Sequence, residues 1–315
     1  MTEEETQLTL ELDPGLVAGE EPRRAVNLKA AYDLAQQAAM QPGWRLDAPF
    51  IRAVHAAITQ HLAHPYNQPG AFRDNPKSIK TQVGNREHGG QCQPPQHGHD
   101  IETLMQALVD WHRGLEERGV PALIRVPLVH YHYELIHPFW DGNGRVGRVL
   151  EATLLQAAGF HYAPFALAGY YLAHIDEYFT LFNRCRKAAK KGQAHPHTAF
   201  VQFHLEGMRV SINRLHDRVN QIVGLLLFKT QVRQWYDENM LNVRQYTITN
   251  QLLAANLPLT LAEMRRTPWY QNLYQQLADK TRQRDLRQLQ ELKLVVLDER
   301  ARLWPGCVSP TLNIS

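Results

Sequence analysis

The sequence predicts a mainly α-helical fold: a helical core bearing one short β-hairpin, then a smaller helix–turn–helix unit closed by a second hairpin. Three observations predict it. Apolar residues recur at intervals of three and four along most of the 315 residues. Runs rich in β-branched residues are few and short, at 78–85 and 294–297. A glycine-rich loop at 141–144 joins two apolar helical segments.

Composition bounds the function classes. A hydrophobic fraction of 44%, a charged fraction of 21% and a formal charge of +3 suit a globular chain. So small a positive charge does not by itself imply nucleic acid. No apolar run reaches membrane-spanning length, and the opening Met1-Thr2-Glu3-Glu4-Glu5 is the reverse of a secretory signal. No membrane partner and a cytoplasmic location are therefore expected. Cys92, Cys185 and Cys307 are odd in number and far apart, which argues against a disulfide framework.

Residues 1–24 read as an acidic solvated tail, with Glu3, Glu4, Glu5, Glu11, Asp13, Glu20 and Glu21 around Pro14 and Gly15. A helix is expected over 25–40, stopped by Gln41-Pro42-Gly43, and a second over 49–62 with Phe50, Ala53, Val54, Ala57 and Ile58 as its apolar face. The stretch 78–85 reads as a strand or hairpin. His88, Cys92, His97 and His99 crowd the following loop without the paired spacing of zinc ligands, so they read as polar loop residues. Residues 100–111 form an amphipathic helix through Leu104, Leu108 and Trp111, and Gly119-Val120-Pro121 leads into the next.

That next helix is expected over 128–136, with Pro127 in its first turn and Val129, Tyr133 and Ile136 on one face. Pro138 disfavours helical geometry at His137 and ends it. After the loop, Val146, Val149, Leu150, Thr153, Leu154 and Ala157 repeat at three and four up to a capping Gly159. The stretch His137-Pro138-Phe139-Trp140-Asp141-Gly142-Asn143-Gly144-Arg145-Val146-Gly147-Arg148 thus spans a helix end, a tight turn and a helix start.

Each residue type there suits work on a phosphate chain. A Gly-Asn-Gly turn opening a helix points several unpaired N–H groups one way, at the positive end of the helix dipole. Arg145 and Arg148, three apart, project from one side of the first turn with forks that match phosphate oxygens. Asp141 offers a hard oxygen for Mg²⁺ bridging two phosphates. His137 titrates near neutrality and suits taking a proton from a hydroxyl. The parts describe a phosphoryl- or nucleotidyl-transfer site. A rival set, His130, Glu134 and His137, has metallohydrolase spacing, but the Asp-Gly-Asn-Gly-Arg loop has no role in that scheme.

The stretch resembles the signature of Fic-domain proteins, H-[PA]-F-x-[DE]-G-N-G-R-x-x-R, with every fixed position matched. The resemblance implies a Fic-type helical core. It also implies transfer of AMP from ATP, with Mg²⁺, to a Ser, Thr or Tyr hydroxyl of a target protein. By position it makes His137 the general base and Asp141 the metal holder. Gly142, Asn143 and Gly144 become the phosphate cradle, Arg145 and Arg148 the grips on the β- and γ-phosphates, and Phe139 the buried anchor. Gln68-Pro69-Gly70-Ala71-Phe72-Arg73 is similar to the family's Pro-Gly-x-[YF]-R element. The flap that aligns a target segment by main-chain pairing is then expected at 77–86, with Lys80, Thr81, Gln82, Val83 and Gly84 as its contact residues. The family's inhibitory pattern [ST]-x-x-x-E-[GN] has no clean match: the 6–11 stretch is off by one, and Glu206-Gly207 and Glu238-Asn239 lack the hydroxyl residue. A separate inhibitory partner stays open. So do other transferred groups (UMP, phosphocholine, a bare phosphate) and a regulator that senses nucleotide and binds DNA.

Beyond Gly159, 170–191 reads as one helix with Tyr171, Ile175, Tyr178, Phe179 and Phe182 on its core side. Residues 198–239 read as one long helix or two. The apolar run Ile222, Val223, Leu225, Leu226, Leu227, Phe228 needs cover, from core packing or from a homodimer interface. In the tail, Thr260-Leu261-Ala262-Glu263 is a capping box. Thr281 is expected to cap a helix that buries Leu286, Leu289 and Leu292 and turns Arg282, Arg284 and Arg287 outward. Residues 294–304 read as a hairpin. This order resembles a winged-helix domain, which makes DNA a candidate partner. The expected division is tail 1–24, Fic-type core 25–240 and winged-helix-like domain 241–315.

Overall fold

A computed structural model describes residues 17, 19–77, 79, 81–85, 90–255 and 258–307. By its contacts the chain divides into Met1–Arg214 and Leu215–Ser315. The expected boundary lay at 240; the division falls inside a helix, Thr198–Asp237, which is unbroken over 40 residues.

In the first unit, α1 (Glu20–Ala39) begins earlier than expected. Glu20 and Glu21 sit in its first turn, where the helix dipole favours acids, and Glu20 pairs with Arg24 at 2.6 Å. Helix α2 (Ala48–Thr59) is capped by the Asp47 carboxylate, which accepts the Phe50 N–H, and buries Ile51, Val54, His55 and Ile58 as one stripe. Its open C-terminal carbonyls are met from α1, where Asn27 donates to Ile58 and Gln60. Strands β1 (Val83–Asn85) and β2 (Gly90–Cys92) make a short antiparallel hairpin, with Val83 opposite Cys92.

Helix α3 (Gly98–Glu117) is followed by α4 (Ala122–Ile136), α5 (Asn143–Ala157), α6 (Ala163–Ala173), α7 (Ile175–Lys190) and α8 (Thr198–Asp237). Two expectations change here. Pro127 is not in the first turn of α4 but five residues inside it, buried. Pro121 caps the helix instead, and Pro127 gives up one intrahelical hydrogen bond at a site where its ring is packed. The single helix expected over 170–191 is two, broken at His174, whose ring Nδ1 lies 2.9 Å from the Tyr170 carbonyl. Ile175, now in the first turn of α7, is consequently exposed rather than in the core.

Helix α5 is the centre of this unit. It packs on α1, α2, α4 and α6, and Val146, Val149, Leu150, Leu154 and Leu155 are almost fully buried. Its one buried acid, Glu151, receives the Tyr171 hydroxyl at 2.8 Å and faces Nδ1 of His204 at 3.0 Å. The imidazole neighbours hold that carboxyl below the usual carboxylate range in spite of burial.

The second unit builds its own core from Phe228, Val232, Leu241, Ile248, Leu252, Met264, Tyr270, Tyr274, Leu289 and Leu303. After α8 come α9 (Val243–Ala255), β3 (Leu259–Thr260), α10 (Leu261–Arg266), α11 (Pro268–Leu273), α12 (Asp279–Glu291), β4 (Val295–Leu297) and β5 (Arg302–Pro305). The capping box at Thr260 and Glu263 is formed. The sheet has three antiparallel strands in the order β3-β5-β4, one more than the expected hairpin, because Leu259 and Thr260 pair with Leu303 and Arg302. Thr281 does not cap α12, which starts two residues earlier at Asp279. Arg282 does not point free: it pairs with Asp279 at 3.0 Å and donates to the Tyr274 carbonyl, while Arg284 and Arg287 are exposed. On α8, Phe228 is buried, but Ile222, Val223, Leu226 and Leu227 are about half exposed or more.

Candidate active site

The helix end and the loop are held from below. Helix α4 stops at His137, which adopts left-handed geometry (φ 49°, ψ 61°) while its N–H still bonds the Tyr133 carbonyl at 2.9 Å. Left-handed backbone is costly for a residue with a Cβ, so something must hold it. Arg73 does. Its guanidinium is 1% exposed and caps the end of α4, with Nε donating to the His137 carbonyl at 2.8 Å and Nη2 to the carbonyls of Pro95 and Ile136. A cation at a helix C-terminus, forked between two chain segments, suits both the dipole and the open carbonyls. Its backbone N–H also bonds the Pro138 carbonyl at 2.8 Å.

Phe139 is fully buried and lies flat on the His55 ring, with centroids 3.6 Å apart and an interplanar angle of 6°. His55 bridges two loops: Nδ1 accepts the Gly70 N–H at 2.9 Å, so Nε2 carries the hydrogen and donates to the Asp141 carbonyl at 3.2 Å. Burial pushes this imidazole down to about 4, so it is neutral in that role. Gly142 caps α5 with φ +80°, and a Cβ there would meet the Thr59 methyl at 3.2 Å. The loop needs a glycine at this position for both reasons.

Among the residues expected to act, His137 stands at the surface end of this assembly with its side chain 28% exposed. Nδ1 is sealed inside. Burial holds the ring down to about 4, the Arg73 guanidinium pushes the same way and the Glu134 backbone carbonyl opposes. It is therefore unprotonated near neutral pH, as a base must be. Gly142 and Gly144 flank the first N–H groups of α5. Asn143 behaves differently from expectation: its side chain is buried and spent on Phe139, donating to its carbonyl at 2.8 Å and accepting its N–H at 2.9 Å. Only its backbone N–H is left for an anion.

The two arginines also differ. Arg145 Nη2 pairs with Asp141 Oδ2 at 2.9 Å, whereas Arg148 makes no hydrogen bond or ion pair within reach among the described residues. Arg148 therefore keeps its donors open for an anion, while Nη1 of Arg145 is buried without a partner beside the Asp141 pair. The Asp141 carboxylate is 35% exposed, and no cluster of three His, Cys, Asp or Glu side chains suited to a metal occurs among the described residues. One hard carboxylate fits a Mg²⁺ that arrives with its phosphates and waters, not a cation held by protein alone.

The rival set does not converge. His130 Nε2 is 2.8 Å from the Tyr178 hydroxyl and its Nδ1 is 3.6 Å from Glu151, while Glu134 turns to His137. Of the expected flap, Thr81 is tied to Gln96 at 2.9 Å, and Val83 and Gly84 form β1. Gln82 precedes that strand, and Lys80 lies outside the described residues. Sequence reading missed His55 and the capping role of Arg73. Their partners are 86 and 64 residues away, so no local spacing carried a signal.

Residues 45–155 match the model of the Fic/DOC family. A protein adenylyltransferase Fic of Nematostella vectensis is 28% identical over 181 residues, 58% of this chain and 37% of that protein. A probable protein adenylyltransferase of Aquifex aeolicus is 28% identical over 120 residues, 38% of this chain and 34% of that protein. The chain thus spans about a third of the length of these two relatives. A Fic family protein from Desulfovibrio desulfuricans G20 superposes with a TM-score of 0.54 at 19% identity, over 97% of this chain and 81% of the other. A Fic-domain signalling protein from Bacteroides thetaiotaomicron gives 0.51 at 20% identity, over 67% and 80%. The fold, mainly helical with a small hairpin, is the one those structures have.

Proposed function

We propose that this chain is a protein adenylyltransferase that moves AMP from Mg-ATP to a Ser, Thr or Tyr hydroxyl of a target protein and releases pyrophosphate. The observation that carries the reading is a single arrangement. An imidazole kept neutral by burial ends one helix while an N–H-rich glycine loop with two arginines opens the next. The hydroxyl proton passes to His137 as the oxygen forms its bond to the α-phosphorus. The bond from that phosphorus to the bridging oxygen breaks, and its electron pair leaves with pyrophosphate. Arg145, Arg148 and the first N–H groups of α5 meet the charge on the leaving phosphates. Asp141 would hold the Mg²⁺, which when bound supplies positive charge to the phosphate oxygens. The hairpin β1–β2 offers an edge against which an extended target segment can pair.

The names of the relatives favour AMP over UMP, phosphocholine or a bare phosphate as the group transferred. The test uses ATP labelled at the α or, separately, the γ position, with wild type and His137→Ala. Label on protein from the α position alone, lost in the variant by roughly 10²–10⁴-fold, supports the reading. Label from γ alone refutes it. For the second unit we propose a winged-helix-like domain, on the order α9-β3-α10-α11-α12-β4-β5 and its three-stranded antiparallel sheet.

A further inference from the structure

Glu134 has no task in the reaction above, yet the site is cut to fit it. It lies on α4, three residues before His137, and is 6% exposed. Its Oε2 is 3.9 Å from Nδ1 of His137, and its Oε1 has no hydrogen-bond partner among the described residues. Burying a carboxyl without partners is expensive, and an apolar residue would fill this space at no such cost. From the opposite side, a Cβ on Gly147 of α5 would stand 2.3 Å from Oε1. Gly147 is inside a helix and has no positive φ, so the backbone does not require glycine there. Glycine is less favourable than alanine in such a position, since it has more backbone freedom to lose. The carboxyl requires it first, at 2.3 Å, with the Tyr133 ring next at 3.3 Å; the helix does not.

The two nitrogens of His137 have different surroundings. Nδ1 is sealed from solvent and faces Glu134, while Nε2 is the nitrogen left open on the 28% exposed ring. We propose that Glu134 is a positioning residue: its carboxylate receives the Nδ1 hydrogen of His137. The lone pair is thereby kept on Nε2 for the incoming hydroxyl, and the carboxylate balances the imidazolium that forms there. The inference rests on His137 as the base of the transfer. The proton goes from hydroxyl to Nε2, and Glu134 itself neither gains nor loses one. The 3.9 Å gap closes to hydrogen-bond distance when substrate seats the ring, since contacts of this kind tighten in the loaded site.

The charges that face Glu134 set its pH range. Burial raises its carboxyl to about 7, Arg148 of α5 opposes and Glu151 of α5 reinforces. Tyr133 of α4 and Tyr178 of α7, both buried and held well above the usual phenol range, stay neutral there. Cys92 of β2, with its thiol also pushed up by burial, and Arg186 of α7 line the small cavity beside it. The carboxylate form therefore grows through neutrality, and transfer should rise with it. The Glu134 backbone carbonyl faces the same ring and is the rival acceptor, one that no side-chain substitution removes.

The experiment follows the ring nitrogens of His137 by ¹⁵N NMR against pH, together with kcat and KM for ATP, in the full chain. The variants are Glu134→Gln, Gly147→Ala, Glu134→Ala and the double Glu134→Ala/Gly147→Ala. In wild type the hydrogen should settle on Nδ1 as pH rises through about 7, and in Glu134→Gln that change should vanish. The same variant should lose about 10- to 100-fold in kcat, part of the usual general-base scale, with KM little changed and no rise in rate near neutrality. Gly147→Ala should reproduce the loss, yet cost little further in the Glu134→Ala background, where only the Tyr133 ring, 3.3 Å from the added methyl, remains close. A His137 tautomer and pH–rate profile unmoved in Glu134→Gln would overturn the proposal, as would losses in Gly147→Ala and Glu134→Ala that multiply. If wild type moves no AMP, the transferase reading fails alone, because the NMR comparison still decides the role of Glu134.

Discussion

Arg73→Met tests whether the end of α4 is held as described. The side chain keeps an apolar stem in a pocket where the native residue is 1% exposed, so packing changes little. What goes is the guanidinium: a 2.8 Å bond to the His137 carbonyl, a bond to Pro95 and a longer contact of 3.5 Å to Ile136. A hydrogen bond from a charged donor is worth about 1.5–3 kcal/mol net, so the two good ones give about 3–6 kcal/mol. Some of that returns, because the guanidinium is itself desolvated: burial pulls it down to about 10, and Nη1 has no partner among the described residues. The expected loss is about 3 kcal/mol. For a unit of this size that lowers the melting temperature by about 6–12 °C. Urea unfolding and thermal melts followed by circular dichroism measure it. Arg73→Lys should recover less than half, since one ammonium cannot fork between two chain segments. A loss below about 1 kcal/mol in Arg73→Met would show that the carbonyls find other partners and that the left-handed geometry of His137 needs no clamp.

Three further outcomes are expected. Gly142→Ala puts a methyl at φ +80° and 3.2 Å from the Thr59 methyl, so it should cost about 1–3 kcal/mol in urea unfolding; wild-type stability would refute the reading of the loop. Arg148→Ala should raise KM for ATP with only a small change in melting temperature, because Arg148 makes no hydrogen bond or ion pair among the described residues and acts on Glu134 only through its charge; an unchanged KM counts against its place in the site. Stability should fall on acidification. Burial holds His55, His132 and His137 at about 4 against an ordinary 6.5, so between these values the unfolded chain takes up three protons that the native one refuses. Glu134, raised from 4.5 to about 7, works the other way, since there the native chain keeps a proton the unfolded one has lost. Burial lowers His112, His130 and His197 in the same direction, so the net of two protons from the first four groups is a minimum, a slope of at least roughly 2–3 kcal/mol per pH unit between about pH 6.5 and 4.5. Urea midpoints that do not move across that window would refute it, and Glu134→Gln should steepen the slope.

Much of this protein is written in local order along the chain. The helices, the capping box at Thr260 and the turn at Gly142 follow from residues within four positions of one another, because helical hydrogen bonds and caps have that reach. The same locality made the 137–148 stretch legible as a helix end, a glycine turn and a helix start. Where two local signals competed, the reading went astray: Pro127 looked like a start and is interior, and His174 divides what periodicity joined.

Tertiary structure alone decided the rest. Asn143 is turned inward onto Phe139, Arg145 is engaged by Asp141, and Arg148 is left open, though all three belong to one turn. His55 and Arg73 reach the loop from remote segments, and Glu134 meets Gly147 only because α4 packs on α5. Spacing along a chain states which groups share a helix face. Burial, which sets protonation and leaves a donor open or occupied, is a property of the neighbours that packing brings, and those come from far away in sequence.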